Sequence, residues 1–110
     1  MKRDEESGGM WCVVMFDLPV QTKAQRRAAT QFRHLLLDMG YLMVQFSVYA
    51  RYAPTQSGNR TTVKEVLANI PEHGKVRILH VSDNQWSKAV HFCNGTEEDN
   101  DEMPELLLLF

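Results

Sequence analysis

A chain of 110 residues, 44% of them hydrophobic, is sized for one domain with a modest core, and it holds no apolar run long enough to span a bilayer. Residues 1–10 are polar and Gly-containing, the opposite of a signal-peptide core, so a cytoplasmic protein with no membrane partner is expected. The net charge of −2 argues against nucleic acid only on average: residues 10–94 carry ten Lys/Arg against five Asp/Glu, whereas residues 95–110 carry six acids and no base.

In chain order, residues 1–9 read as a polar leader expected to be disordered, and Met10 is an alternative start of translation. Residues 11–16 are continuously apolar and stop on Asp17-Leu18-Pro19, the pattern of a central strand covered on both faces. Residues 22–39 form the best helix, with Thr22 as N-cap, Gln25 at capping-box spacing and Gly40 as terminator. Its core face is Ala24, Ala28, Phe32, Leu35, Leu36 and Met39; Lys23, Arg26, Arg27, Arg33 and His34 occupy the other side. Residues 41–52 read as strand but are long for one, so a bulge or tight turn is expected near residues 45–47. Residues 53–59 are loop.

A second helix is expected over residues 60–70, with Val63, Val66, Leu67 and Ile70 as its stripe and Pro71 just beyond. Residues 75–82 alternate as a strand. Residues 83–86 read as a short turn capped by Asp83, 89–93 as a last short strand and 94–102 as an acidic loop. The order predicts an α+β ferredoxin-like sandwich, β-α-β-β-α-β plus a short extra strand, over residues 10–94. Residues 95–110 are an acidic linker and an apolar C-terminal segment.

Little catalytic machinery is legible. No nucleophile triad, Gly-rich phosphate loop or zinc-ligand spacing is present, and Cys12 and Cys93 form no CxxC pair, so each reads as a small buried hydrophobe. Asp17 remains. A carboxylate at the end of a buried strand, facing a helix with arginines, can hold a metal ion and a phosphate; the alternative is that it only stops the strand. One Asp cannot complete a Mg²⁺ shell. Two copies of Asp17 across a two-fold axis would give a minimal site, which makes a homodimer a condition for the chemistry.

Phe16-Asp17-Leu18-Pro19, Thr22-Lys23-x-x-Arg26-Arg27, Phe32-Arg33-x-x-Leu36, Gly40-Tyr41, Gln45-x-Ser47-Val48-Tyr49-x-Arg51, Pro71-x-x-Gly74-x-Val76-Arg77 and Ser82-Asp83-x-Gln85 occur in order. Together they resemble Cas-two, the second universal CRISPR adaptation protein, and most closely the members found with type II systems. The resemblance implies a ferredoxin-like homodimer set between two dimers of the Cas-one integrase, capturing duplex protospacer DNA for insertion as a spacer. Cas9 and other adaptation proteins are further implied partners. Members are also described as metal-dependent endonucleases, which makes Asp17 the implied catalytic and Mg²⁺ residue. The matching basic positions, implied to bind nucleic acid, are Lys23, Arg26, Arg27, Arg33, Arg51 and Arg77.

Two functions follow. An adaptor needs a basic surface and a sticky end, and phosphate contacts grip DNA of any sequence. A nuclease needs Mg²⁺ between paired Asp17 carboxylates; one carboxylate per chain and no evident general base favour the adaptor. The apolar end, Leu106, Leu107, Leu108, Leu109 and Phe110, is expected to dock on the integrase or, failing that, on its own dimer. A small-molecule-sensing regulator has no ligand motif behind it.

Overall fold

The computed structural model describes residues 8–98. Both faces of β1 (Met10–Asp17) are apolar, and that puts it inside the sheet: Cys12, Val14 and Phe16 pack to one side, Trp11, Val13 and Met15 to the other. It pairs antiparallel with β3 (Val48–Ala53) and β4 (Lys75–Ser82), and β2 (Leu42–Gln45) adds outside β3, giving the order β2-β3-β1-β4. The helices α1 (Lys23–Asp38) and α2 (Arg60–Ala68) cover one face, where Phe32, Leu36 and Val66 meet Cys12, Val14, Phe16, Tyr41 and Tyr49. This is the expected α+β sandwich of ferredoxin-like order.

Local chemistry sets the ends of α1. Thr22 Oγ1 accepts from the Gln25 N–H and Gln25 Oε1 accepts from the Thr22 N–H, both at 3.0 Å, closing the predicted capping box. At the other end Gly40 has φ 93°, the Gly40 N–H reaches Leu37 O and the Tyr41 N–H reaches Leu36 O, each at 3.0 Å. That is a Schellman termination, and it delivers Tyr41 into the core. The strand expected over residues 41–52 does divide, at a two-residue turn of Phe46 and Ser47, with a bulge between Met43 and Gln45.

Several expectations are corrected. On α1, Ala29 is buried and Ala24 exposed, because the first turn borders a small cleft with Pro19 and Pro71 instead of the sheet. The second helix stops at Ala68: the Asn69 side chain donates to Glu65 O (2.8 Å), and Leu67 and Ile70 are left exposed. Ser82, not Asp83, is the N-cap of α3 (Asp83–Ser87), reciprocated by Gln85, while the Asp83 carboxylate accepts the Trp11 Nε1–H at 2.8 Å. Residues 91–98 form a hairpin, β5 (His91–Cys93) with β6 (Thr96–Glu98), where a loop was expected from residue 94. Its turn, Asn94 and Gly95 at φ 55° and 79°, is the Asn-Gly pair that a two-residue hairpin requires. Cys12 is buried as expected; Cys93 is exposed.

Gly9, just ahead of the expected start of the domain, is buried, and its carbonyl accepts the Asp83 N–H at 3.0 Å. A side chain there would run into the Ala53 carbonyl and the Tyr52 ring, so only glycine lets the strand begin this close to its neighbour. Among the described residues no helix is long and apolar enough to cross a membrane.

Candidate nucleic-acid interface

Alternation along β1 turns Phe16 toward the helices and Asp17 toward the open face. Register then fixes its neighbours. Asp17 lies opposite Lys75 and Met15 opposite Arg77, so the carboxylate and two bases share one end of the sheet. Together with Phe16 and Val76 they line a shallow cavity of about 310 Å³. The turn between β2 and β3 is tied to the same end by the Phe16 N–H, which donates to Ser47 O at 3.0 Å. Asp17 is exposed.

The predicted bases do not form one patch within a chain. Lys23 and Arg27 are exposed on α1. Arg26, on the same helix, donates from Nη1 to Val20 O (3.1 Å) and Gln21 O (3.2 Å), bracing the loop that follows β1. Arg33 donates to Thr30 Oγ1 at 3.3 Å. Arg77 stands on the other face of the sheet, beside Met15. Arg51 is used internally: Nε donates to Met39 O (2.9 Å), and Nη1 to Gly58 O (3.1 Å) and Asn59 Oδ1 (2.7 Å). It clamps the end of α1 to the start of α2, and Asn59, buried and donating onward to Met10 O, completes the clamp. Lys75, Phe46 and Asn59 were not singled out from sequence. The place of Lys75 beside Asp17 needs the strand register; Asn59 needs the partner that meets it.

Beneath the clamp, the Tyr41 hydroxyl donates to Cys12 Sγ (3.1 Å) and lies 2.9 Å from Thr62 Oγ1. Burial pushes the Tyr41 phenol well above its ordinary pKa and raises that of the Cys12 thiol. Both are therefore neutral structural groups.

Asp17 supplies a hard carboxylate oxygen of the kind Mg²⁺ takes, but no group of three His, Cys, Asp or Glu that could hold a metal exists among the described residues. One chain thus fits the ion only as half of a site. Leu106, Leu107, Leu108, Leu109 and Phe110 lie outside the described residues.

The open face of the sheet is apolar. Val13 and Ala50 are flanked by half-buried Met15, Leu42, Val44 and Val48, and Leu79 is 48% exposed. At one end Trp86 of α3 stacks on Trp11 (4.6 Å between centroids, 14°), and Tyr52 meets the same ring edge-on.

The family model for CRISPR associated protein Cas2 matches residues 10–89. A relative from Paracidovorax avenae, named CRISPR-associated endoribonuclease Cas2, is 45% identical over 92% of this chain and 94% of its own length. One of the same name from Flavobacterium psychrophilum is 34% identical over 92% of this chain and 88% of its own. The crystal structure of Streptococcus pyogenes Cas2 at pH 6.5 superposes with a TM-score of 0.59 at 21% identity, covering 76% of this chain and 99% of that one, which supports the shared fold. The apolar strand ending on Asp17, the two helices on one face and the sequence match agree, and the chain belongs to the Cas2 family of CRISPR-associated proteins.

Proposed function

We propose that the protein acts in CRISPR adaptation as an adaptor: a homodimer that bridges Cas-one integrase dimers and grips protospacer duplex DNA through its phosphates. The observation that carries this reading is an imbalance. Each chain presents exposed bases on two layers, Lys23 and Arg27 on α1 and Lys75 and Arg77 on the sheet, whereas Asp17 belongs to no group of three His, Cys, Asp or Glu among the described residues. Such a surface holds a polyanion of any sequence and is poorly equipped to cut it. The uncovered apolar face supports the homodimer, since an apolar surface of this kind on a small domain is stable when a second copy covers it.

A second reading has its own support. Relatives carry the name endoribonuclease, and Asp17 borders a cavity with Lys75 and Arg77. In that reading two copies of Asp17 hold Mg²⁺, which supplies an activated water and charge stabilisation. Lys75 and Arg77 orient the scissile phosphate beside the carboxylates.

Integration in vitro with purified Cas-one separates the two. Asp17→Ala should leave the dimer folded and spacer integration largely intact. Loss of integration with an unchanged dimer and an unchanged integrase complex would overturn the adaptor reading and promote the nuclease.

A further inference from the structure

The helix layer carries an apolar cleft that neither the duplex grip nor the proposed dimer uses. Ala24 and Ala28, one turn apart on α1, line it together with Pro19 and Pro71, around a cavity of about 140 Å³. The chain neighbours of those prolines, Val20 and Ile70, are 50% and 36% exposed. Glu72 and His73 also border the cleft, 3.9 Å apart and largely in solvent. A space of this size is too small for a cofactor and takes an apolar side chain. Next to each alanine in sequence stands a base, Lys23 and Arg27, both exposed. The first turn of α1 holds no acid, so these bases crowd the positive end of the helix dipole without an anion from that turn to offset them. An apolar hole with cations along its rim suits a segment in which acids run into large apolar side chains.

This chain contains one. Residues 97–105 hold six acids and no base, and Leu106 to Phe110 follow. The cleft lies toward the start of β4, whereas α3 and the hairpin ending on Glu98 follow its far end. Eight residues of strand separate the two, roughly 26 Å, and residues 99–110 can extend over roughly 40 Å. Between those ends, on the same layer, α2 presents Arg60 and Lys64 to solvent. Reach and charge therefore both match.

We propose that Leu106 to Phe110 dock in this cleft in the free dimer and lay the acidic stretch along Lys23 and Arg27, so that the tail occupies the surface that takes duplex phosphates. The inference rests on the proposed duplex-binding surface and adds its regulation: tail and duplex compete for the same bases, and an integrase that draws the tail away opens the surface to DNA. Tethering lets a weak contact act. An effective concentration of order 1 mM against a docking constant of about 0.1 mM lowers duplex affinity about tenfold.

The test measures duplex affinity of the full chain and its variants with no integrase present. Deleting residues 106–110, which leaves every acid in place, should raise affinity about tenfold. Ala24→Leu, which fills the cleft without changing charge, should raise it equally and add nothing in the truncated protein. Asp99→Asn with Asp101→Asn and Glu102→Gln should also raise it. A gain in this amide variant alone would overturn the docking, because the tail would then act through charge without a seat. A gain on deletion with none in Ala24→Leu would overturn the cleft as that seat. Equal duplex affinity in the native chain and all three variants would overturn the regulation and leave the adaptor reading standing; if none of the four binds duplex, the adaptor reading falls with it.

Discussion

Tyr41 gathers the helix side of the core around one hydroxyl. It touches Cys12 in the middle of β1 and Thr62 at the start of α2, and Thr62 itself donates to Asn59 O at 2.9 Å. The phenol is held far above its ordinary value of 10.0, first by burial and then by the hydrogen bond with Cys12. A group whose folded pKa is raised stabilises the fold fully below its unfolded pKa and loses that contribution as pH climbs toward the folded value. Stability should therefore be flat with respect to this group up to about pH 10 and fall above it. Tyr41→Phe should cost about 1 kcal/mol at neutral pH and flatten that alkaline decline, as measured by urea melts across the range. An alkaline arm as steep as that of the native protein would move the titration elsewhere. Arg51 carries a lesson at the same scale. Its place in the motif reads as a phosphate contact, but the carbonyls of Met39 and Gly58 and the amide of Asn59 take its donors first. Only the tertiary fold brings those acceptors to it.

At the level of elements, legibility followed locality. The capping box at Thr22, the terminating Gly40 and the break near residue 46 depend on neighbours within a few positions, and all are in the structure. The hairpin around Asn94 and Gly95 was equally local but was masked by the acidic residues beyond it, which read as loop. The exact inward face of α1 depended on where the sheet ends, and the placement of Lys75 on strand register; neither is written in any short window. Within α1 the described contacts also sort the bases. Arg26 braces its own loop, so its removal would mix structural and binding effects. Lys23 and Arg27 are the cleaner probe. Lys23→Ala with Arg27→Ala should weaken duplex binding alike for all sequences and lower its salt slope by about 2, leaving melting unchanged. An unaltered slope would send the duplex away from this helix.

For the whole molecule, Lys23 and Arg27 lie over the helices, the sheet face opposite is largely apolar with Asp17, Lys75 and Arg77 at one end, and a short hairpin follows α3. The proposed homodimer joins the apolar parts of the two open faces and leaves the helix layers, with Lys23 and Arg27, outward. Beyond the hairpin in sequence comes the apolar end, Leu106 to Phe110, which we propose docks on the integrase. Deleting residues 105–110 should abolish binding to Cas-one in a titration while sedimentation still shows the dimer. Wild-type affinity in the truncated protein would remove the tail from the interface, and loss of the dimer would mean that the tail folds back on it.

β1 joins both ends of this arrangement. Its first residues hold the anchor of the C-terminal arm, through Trp11 stacked on Trp86 and bonded to Asp83; its last residue is Asp17. The intervening strand is hydrogen-bonded on both edges, so it has no slack. Trp11 and Asp17 are six residues apart, roughly 20 Å of extended chain. The strand is in effect a ruler: a partner that seizes α3 has the carboxylate end of the sheet presented to it at a set distance and bearing.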